Sequence, residues 1–191
     1  MTGKTHQALG LTAGFAWYIA SVAPFYNPAT LASVLVGSSL AALLPDIDQP
    51  TAQIWHKIPI FGHTAGKVAS KMTFGHRNIT HSLLGFVLIN FGLFKFISAF
   101  PEYWSIDRAT LFAVVVISYG FHLLSDAFTV EGIPILFPYQ RMFGIPPKPF
   151  EGIRIQSGKW FENLILFPII NIVFLVLIIS NWDKIKSILF K

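Results

Sequence analysis

Polar positions along this chain fall in clumps, and the stretches between the clumps are long and apolar. No Lys, Arg, Asp or Glu occurs from Thr5 to Pro45, from Asn78 to Phe94, from Ala109 to Ser125, or from Asn163 to Trp182. Uncharged stretches of that length read as membrane helices, because backbone crossing lipid must satisfy its own N–H and C=O groups. The first stretch is broken by "PFYNP" (Pro24 to Pro28), since proline lacks the N–H that a helix interior uses. The pattern therefore predicts five helices, at about 7–23, 29–44, 81–100, 109–127 and 162–181. The first two are short against the roughly 20 residues that cross a bilayer, so tilted or partial embedding stays open for them.

Composition agrees with a membrane setting: 53% of residues are hydrophobic and 12% charged, with a mean hydropathy of +0.60. Soluble domains carry about 25% charged residues. The length suits one unit, a single domain over residues 1–191. Cysteine is absent, which removes disulfides, thiolate metal sites and Cys nucleophiles, so any metal must be held by His and carboxylates. The net charge of +5 suits an anionic surface or a phosphate-bearing substrate but separates few possibilities. Lys4, the first apolar stretch and "SVA" (Ser21 to Ala23) have the outline of a signal peptide. Pro24 directly after the cut argues against cleavage, and the first helix is expected to stay.

The polar clumps sit at the ends of the predicted helices. His6 precedes the first, "LLPDIDQP" (Leu43 to Pro50) follows the second, "HRNITH" (His76 to His81) opens the third and "HLLSD" (His122 to Asp126) closes the fourth. Helices that alternate in direction bring all four clumps to one membrane face. His122 and Asp126, spaced i,i+4, share one side of a helix, and their nitrogen and oxygen ligands suit zinc, manganese or iron. A His–Asp hydrogen bond pinning a helix end is the structural alternative. Pro45 and Pro50 keep Asp46 and Asp48 out of a continuing helix, so both carboxylates can project together. Thr80 is placed to cap the third helix, leaving His81 in its first turn. Arg77 can form paired hydrogen bonds with a phosphate, or a salt bridge with an aspartate. His56 and His63, in the connector from Ile54 to Lys71, lack carboxylate neighbours and read as interfacial surface residues.

"LLPDIDQP", "FGHRNITHSLLG" and "YGFHLLSDAFTVEGIPILFP" resemble, in order and spacing, the YdjM-type family of membrane-bound metal-dependent hydrolases, some members of which are under DNA-damage (LexA) control. The resemblance runs from Thr5 to about Pro138. A more distant likeness is to zinc-dependent phospholipase C and the related single-strand zinc nucleases. Those enzymes hold zinc with a His near the N-terminus, an Asp, a His and a His-x-x-x-Asp pair. On that likeness His6, Asp46 or Asp48, His76 or His81, His122 and Asp126 are the metal ligands; Asp126 bridges two ions and His6 completes the second. This chain has no His beyond His122, where those enzymes have more, so one or two divalent ions are expected, zinc first, rather than three.

The expected fold is an all-α integral membrane bundle of about five helices, with a short β-hairpin or loop insert between the fourth and fifth. Alternation in "GIRIQSGKW" (Gly152 to Trp160) suggests the hairpin. The expected activity is phosphoester hydrolysis with a metal-activated water, Arg77 stabilising charge on phosphoryl oxygens, and Asp46 or Asp48 accepting a proton. Arg77, with Arg141 and Arg154 on the long loop, are the candidate contacts to an anionic headgroup. The apolar "IPILFPY" (Ile133 to Tyr139) favours a lipid or lipid-linked substrate over nucleic acid, which calls for a denser basic surface with stacking aromatics. A phosphatase or phosphodiesterase acting on soluble nucleotide or nucleic acid, and a non-catalytic membrane metal-binding protein, are the rivals. On the site face lie Lys4, Lys57, Lys67, Lys71, Arg77, Arg141, Lys148, Arg154 and Lys159, against Lys95, Arg108, Lys184, Lys186 and Lys191 opposite. That bias predicts a cytoplasmic site on the inner membrane.

Overall fold

A computed structural model describes residues 1–21, 27–56, 62–72, 77–139 and 141–190. Eight helices occur among them: α1 Gly3–Ala20, α2 Pro28–Ala41, α3 Gln53–His56, α4 Gly62–Met72, α5 Leu83–Ser98, α6 Arg108–Ala127, α7 Phe167–Ser180 and α8 Trp182–Leu189. Helices occupy each of the four charge-free stretches, two of them in the first, and the short α3, α4 and α8 are additional to the five expected helices. The break before α2 follows the expected chemistry: Pro28 takes the first helical position and the Asn27 side chain accepts from Thr30 N, so proline sits where no N–H is needed.

α1 packs mainly on α6 and α2, and α2 on α6. The close approach of α1 rests on Gly10 and Gly14, where a Cβ would collide with Ala42 and with Ser38 respectively. Small residues four apart bring helix backbones together in this way. Ser118 on α6 donates to Gly10 O at 2.9 Å across the same seam. The core continues through Phe15, Tyr18, Val34, Leu111 and Val114, and α8 closes it with Ile185 and Ile188.

Two helical stretches, Arg108–Ala127 and Glu162–Ser180, are long and apolar enough to cross a membrane, while Pro28–Ala41 and Leu83–Ser98 are apolar but shorter. The second of these is barely covered by the rest of the chain, and Ile172, Val176 and Ile179 lie exposed along it. α6 is half buried.

The region between α6 and α7 differs from the expected hairpin. No strand forms among the described residues, and pairing there is limited to single bridges, Thr129 with Ile155 and Ile133 with Phe143. Pro146, Pro147 and Pro149 supply no N–H to a ladder, and the residue before each proline is restricted as well. The loop is instead stitched to the end of α6: Val130 N donates to Ile155 O and Ile155 N to Phe128 O, at 3.0 and 2.9 Å. Glu162, fully buried in a wide turn that leads into α7, accepts from Thr2 N and from Gly158 N, each at 2.7 Å. The N-terminal segment and the loop are thereby held over one end of the molecule.

Candidate metal centre

Four chain segments meet at that end. The first turns of α1 deliver His6, a tight 3-10 turn Pro45–Asp48 follows α2, a second such turn Ile79–His81 precedes α5, and the last turns of α6 deliver His122 and Asp126. Ser82 rather than Thr80 caps α5, its hydroxyl accepting from Gly85 N at 3.0 Å. His81 therefore sits in the turn ahead of the helix, not in its first turn. The Thr80 hydroxyl is engaged elsewhere, donating to Asp48 Oδ2 at 2.5 Å, while the Tyr119 hydroxyl of α6 holds Thr80 O at 2.7 Å.

The hydrogen bonds around the three histidines decide which ring nitrogens face one another. His122 Nδ1 lies 2.7 Å from Ala42 O, which only accepts, so Nδ1 carries the proton and Nε2 a lone pair. Ser125 gives its single hydroxyl proton to His122 O at 2.8 Å. It must therefore accept from His6 Nδ1, 3.0 Å away, which leaves the His6 Nε2 lone pair without a hydrogen-bond partner. Thr80, having donated to Asp48, accepts from His81 Nδ1 at 3.1 Å. All three Nε2 atoms then point into one space.

Carboxylates occupy the same space. Asp126 Oδ1 is 3.1 Å from His6 Nε2, and Asp126 Oδ2 is 3.6 Å from His81 Nε2 and 3.9 Å from His122 Nε2. Asp46 Oδ1 is 3.6 Å from His81 Nε2 and 3.7 Å from His122 Nε2. The His81 and His122 Nε2 atoms are themselves 3.3 Å apart, and the His6 and His122 rings stack at 3.6 Å. Lone pairs facing anions in a buried space repel unless cations stand between them. The donor set is that of a divalent metal with nitrogen and oxygen ligands. Two overlapping ligand groups arise, His6–His122–Asp126 and Asp46–His81–His122, with His122 common to both. The residues fit one or two ions.

The charges respond accordingly. Burial opposes ionisation of Asp46, but the neighbouring His122, His81 and His6 hold its carboxyl well below the usual range. Burial likewise opposes a charged His81, yet Asp46, Asp48 and Asp126 raise it to about 9, so without a metal this imidazole takes up a proton in the cation's place. Two more cations flank Asp126: the Met1 amino group contacts Oδ1, and Arg77 Nη2 lies 3.0 Å from Oδ2.

Of the residues singled out in the sequence, His6, Asp46, His81, His122, Asp126 and Arg77 converge here. Asp48 is fully buried one layer out, accepting from Thr80 and from Arg77 N at 3.1 Å with His81 Nδ1 3.7 Å away. Asp46 and Asp48 thus flank His81 from opposite ring nitrogens. Arg77 adopts a left-handed backbone, φ 57°, and its Nη1 donates to Gly132 O at 3.3 Å. Arg154 is used within the loop, donating to Pro146 O at 2.8 Å and Gly144 O at 3.2 Å; Arg141 lies over the Phe143 ring. His76 lies outside the described residues, as do the side chains of His56 and His63. Ser125, Thr80, Tyr119 and the carbonyl of Ala42 set the ring orientations, and sequence reasoning missed those roles. Ser125 alone left a signal, one turn after His122 on the same helix.

A polar cavity of about 400 Å³ adjoins the cluster, with Asp46, Arg77, Gln49, Gln53, Glu131 and Ser157 on its wall.

Helices fit to cross a bilayer and a buried His/Asp centre at one end define a membrane protein with a candidate metal site. The chain belongs to the YdjM inner membrane protein family, whose model matches residues 1–185. It is 33% identical over 166 residues to the uncharacterized protein YvsG of Bacillus subtilis (strain 168), covering 87% of this chain and 88% of that one. It is 28% identical over 165 residues to the inner membrane protein YdjM of Escherichia coli (strain K12), covering 86% and 77%. No solved structure matches the chain.

Proposed function

We propose that the chain is a membrane-bound metal-dependent hydrolase that cleaves phosphoester bonds of lipid or lipid-linked substrates, in the manner of a phospholipase C. The observation that carries the proposal is the convergence of three imidazole lone pairs and two carboxylates in a buried space beside a polar cavity. Zinc, manganese or iron bound there supplies Lewis acidity and brings a coordinated water near neutrality in pKa.

The chain's own groups account for the remaining needs of the reaction. Asp126, His6, His81 and His122 hold the cation, and Ala42 O, Ser125 and Thr80 fix the tautomers that make the imidazoles ligands. Asp46, whose side chain is 14% exposed and lines the cavity, is the carboxylate placed to accept a proton from the attacking water. Arg77, 16% exposed, presents its guanidinium on the same wall and steadies charge on a phosphoryl oxygen. The basic bias of this end supports a cytoplasmic orientation.

The test is a substrate panel offered to metal-loaded protein in detergent and in vesicles: phosphatidylglycerol, phosphatidic acid and soluble bis(p-nitrophenyl) phosphate. Chelator-sensitive release of a phosphate or phosphomonoester from a lipid is the expected result. Metal-loaded protein that cleaves only soluble nucleotides or nucleic acid would refute the lipid assignment, and protein inert toward every phosphoester would support a non-catalytic metal-binding role.

A further inference from the structure

A second concavity lies on the other side of the cluster, and it is wholly apolar. Its volume is about 280 Å³, and Leu9 of α1, Phe121 and Leu124 of α6, Phe128, and Leu166 and Ile170 at the start of α7 line it. Met1 and Ser125 line it as well. Both touch the metal centre directly, Ser125 through His6 Nδ1 and Met1 through Asp126. Met1 also lines the polar cavity, so the two spaces meet at the cluster.

The groove runs parallel to α6. From Phe128 at the site face to Phe121 is two helical turns, a descent of about 10 Å into the apolar layer. One wall is the helical stretch Glu162–Ser180, which the rest of the chain barely covers, so the groove is continuous with the bilayer-facing surface. Near the groove, on the first turn of α1 that also carries His6, Lys4 Nζ sits 5.2 Å from the centre of the Phe167 ring, the residue after Leu166. Arg77 stands across the cluster. A hydrocarbon wall along the membrane normal, cations at the top and a hydrolytic centre between them match an amphiphile with an anionic head.

We propose that this groove is the chain-binding subsite of the enzyme. It holds the hydrocarbon tail of a membrane lipid whose phosphoester reaches the metal centre and whose headgroup occupies the polar cavity. The inference rests on the lipid phosphoester reading above and adds the residues that select for a long chain: Leu9, Phe121, Leu124, Leu166 and Ile170. Binding energy from such a remote tail is used at the reacting bond, so losing it lowers turnover as well as affinity.

The experiment pairs photo-crosslinking with a substrate ratio. Phosphatidylglycerol carrying a diazirine in its acyl chain is incorporated with the metal-loaded full chain into vesicles, and labelled peptides are mapped. Labels concentrated on Phe121–Phe128 and Leu166–Ile170, and depleted by Leu124→Trp or Leu166→Trp, are expected. Val176→Trp, exposed on α7 outside the groove, should leave labelling and turnover as they were. The ratio of long-chain phosphatidylglycerol to bis(p-nitrophenyl) phosphate turnover should fall by about tenfold or more in Leu124→Trp. Metal content reports whether each variant retains its site. Labels spread evenly over the outer face of α7, indifferent to Leu124→Trp, would overturn the proposal. If the parent protein hydrolyses nothing, the hydrolase reading falls and the crosslinking pattern alone decides whether the groove holds a lipid chain.

Discussion

The two ends of the helices both gather polar residues around a cavity, and only one of them resembles a reactive centre. At the far end a space of about 450 Å³ is lined by Asn27, Glu102, Ser105, Ile106, Asp107 and Arg108, larger than the polar cavity beside the histidines. Its polar groups are engaged in shaping the backbone. Asn27 accepts from Thr30 N at 2.7 Å and donates to Ser105 O at 2.9 Å. Asp107 caps α6, accepting from Ala109 N at 3.1 Å and from the Thr110 hydroxyl at 2.6 Å. At the histidine end the bonds to Ala42 O, Ser125 and Thr80 satisfy one nitrogen of each ring and leave the other facing a carboxylate. Concavity does not separate the two ends. Imidazole nitrogens turned toward carboxylates in one buried space do.

One substitution made at both ends tests that contrast most severely. Asp126→Asn keeps the shape and removes the charge that holds a cation. Metal affinity should fall by more than about a hundredfold, since loss of even an outer partner of a ligand costs about 10–100-fold. Turnover should vanish with it. The metal-free variant should also melt at a lower temperature, because Arg77 and the Met1 amino group no longer face a carboxylate. Retention of metal and turnover with only a lower melting temperature would reduce the His–Asp contacts to a helix-end tie. Asp48→Asn comes next. It disturbs the acceptor of Thr80 and of Arg77 N without touching the ligand space, so metal affinity should drop about 10–100-fold in a titration with a competing chelator.

Arg77→Gly separates chemistry from architecture. The left-handed backbone at this position favours glycine by about 1–2 kcal/mol, so the fold should tolerate the change and metal should remain, while turnover of a phosphodiester falls about a hundredfold. Unchanged turnover would leave Arg77 as a salt-bridge residue only. The smallest effect belongs to the far end. Asn caps helices about as well as Asp, so Asp107→Asn should shift stability by less than about 1 kcal/mol and leave metal content untouched.

The helices of the charge-free runs were legible because lipid enforces such runs, and Asn27 and Pro28 mark the start of α2, while the short α3, α4 and α8 were not expected. Alternation in helix direction alone placed His6, Asp46, His81, His122 and Asp126 at one end. Roles set by contacts distant in sequence were not legible. Nothing local ties Tyr119 to the carbonyl of Thr80, Ala42 O to His122, or Glu162 to the backbone of Thr2. Local chemistry also misled in places. Thr80 and Ser82 are both competent caps, and the pull of Asp48 on Thr80 left the cap to Ser82. The alternation in Gly152–Trp160 yielded to the prolines just before it and to the backbone of Phe128 and Val130, which bind Ile155 from both sides.

The central claim is that lone pairs and carboxylates meet at the histidine end because a metal belongs between them. Elemental analysis of the purified full chain tests it directly. The account predicts one or two equivalents of zinc, manganese or iron per chain, removed by chelator together with activity and restored together by adding the ion back. A metal-free preparation that folds normally and hydrolyses its substrate at full rate would contradict it.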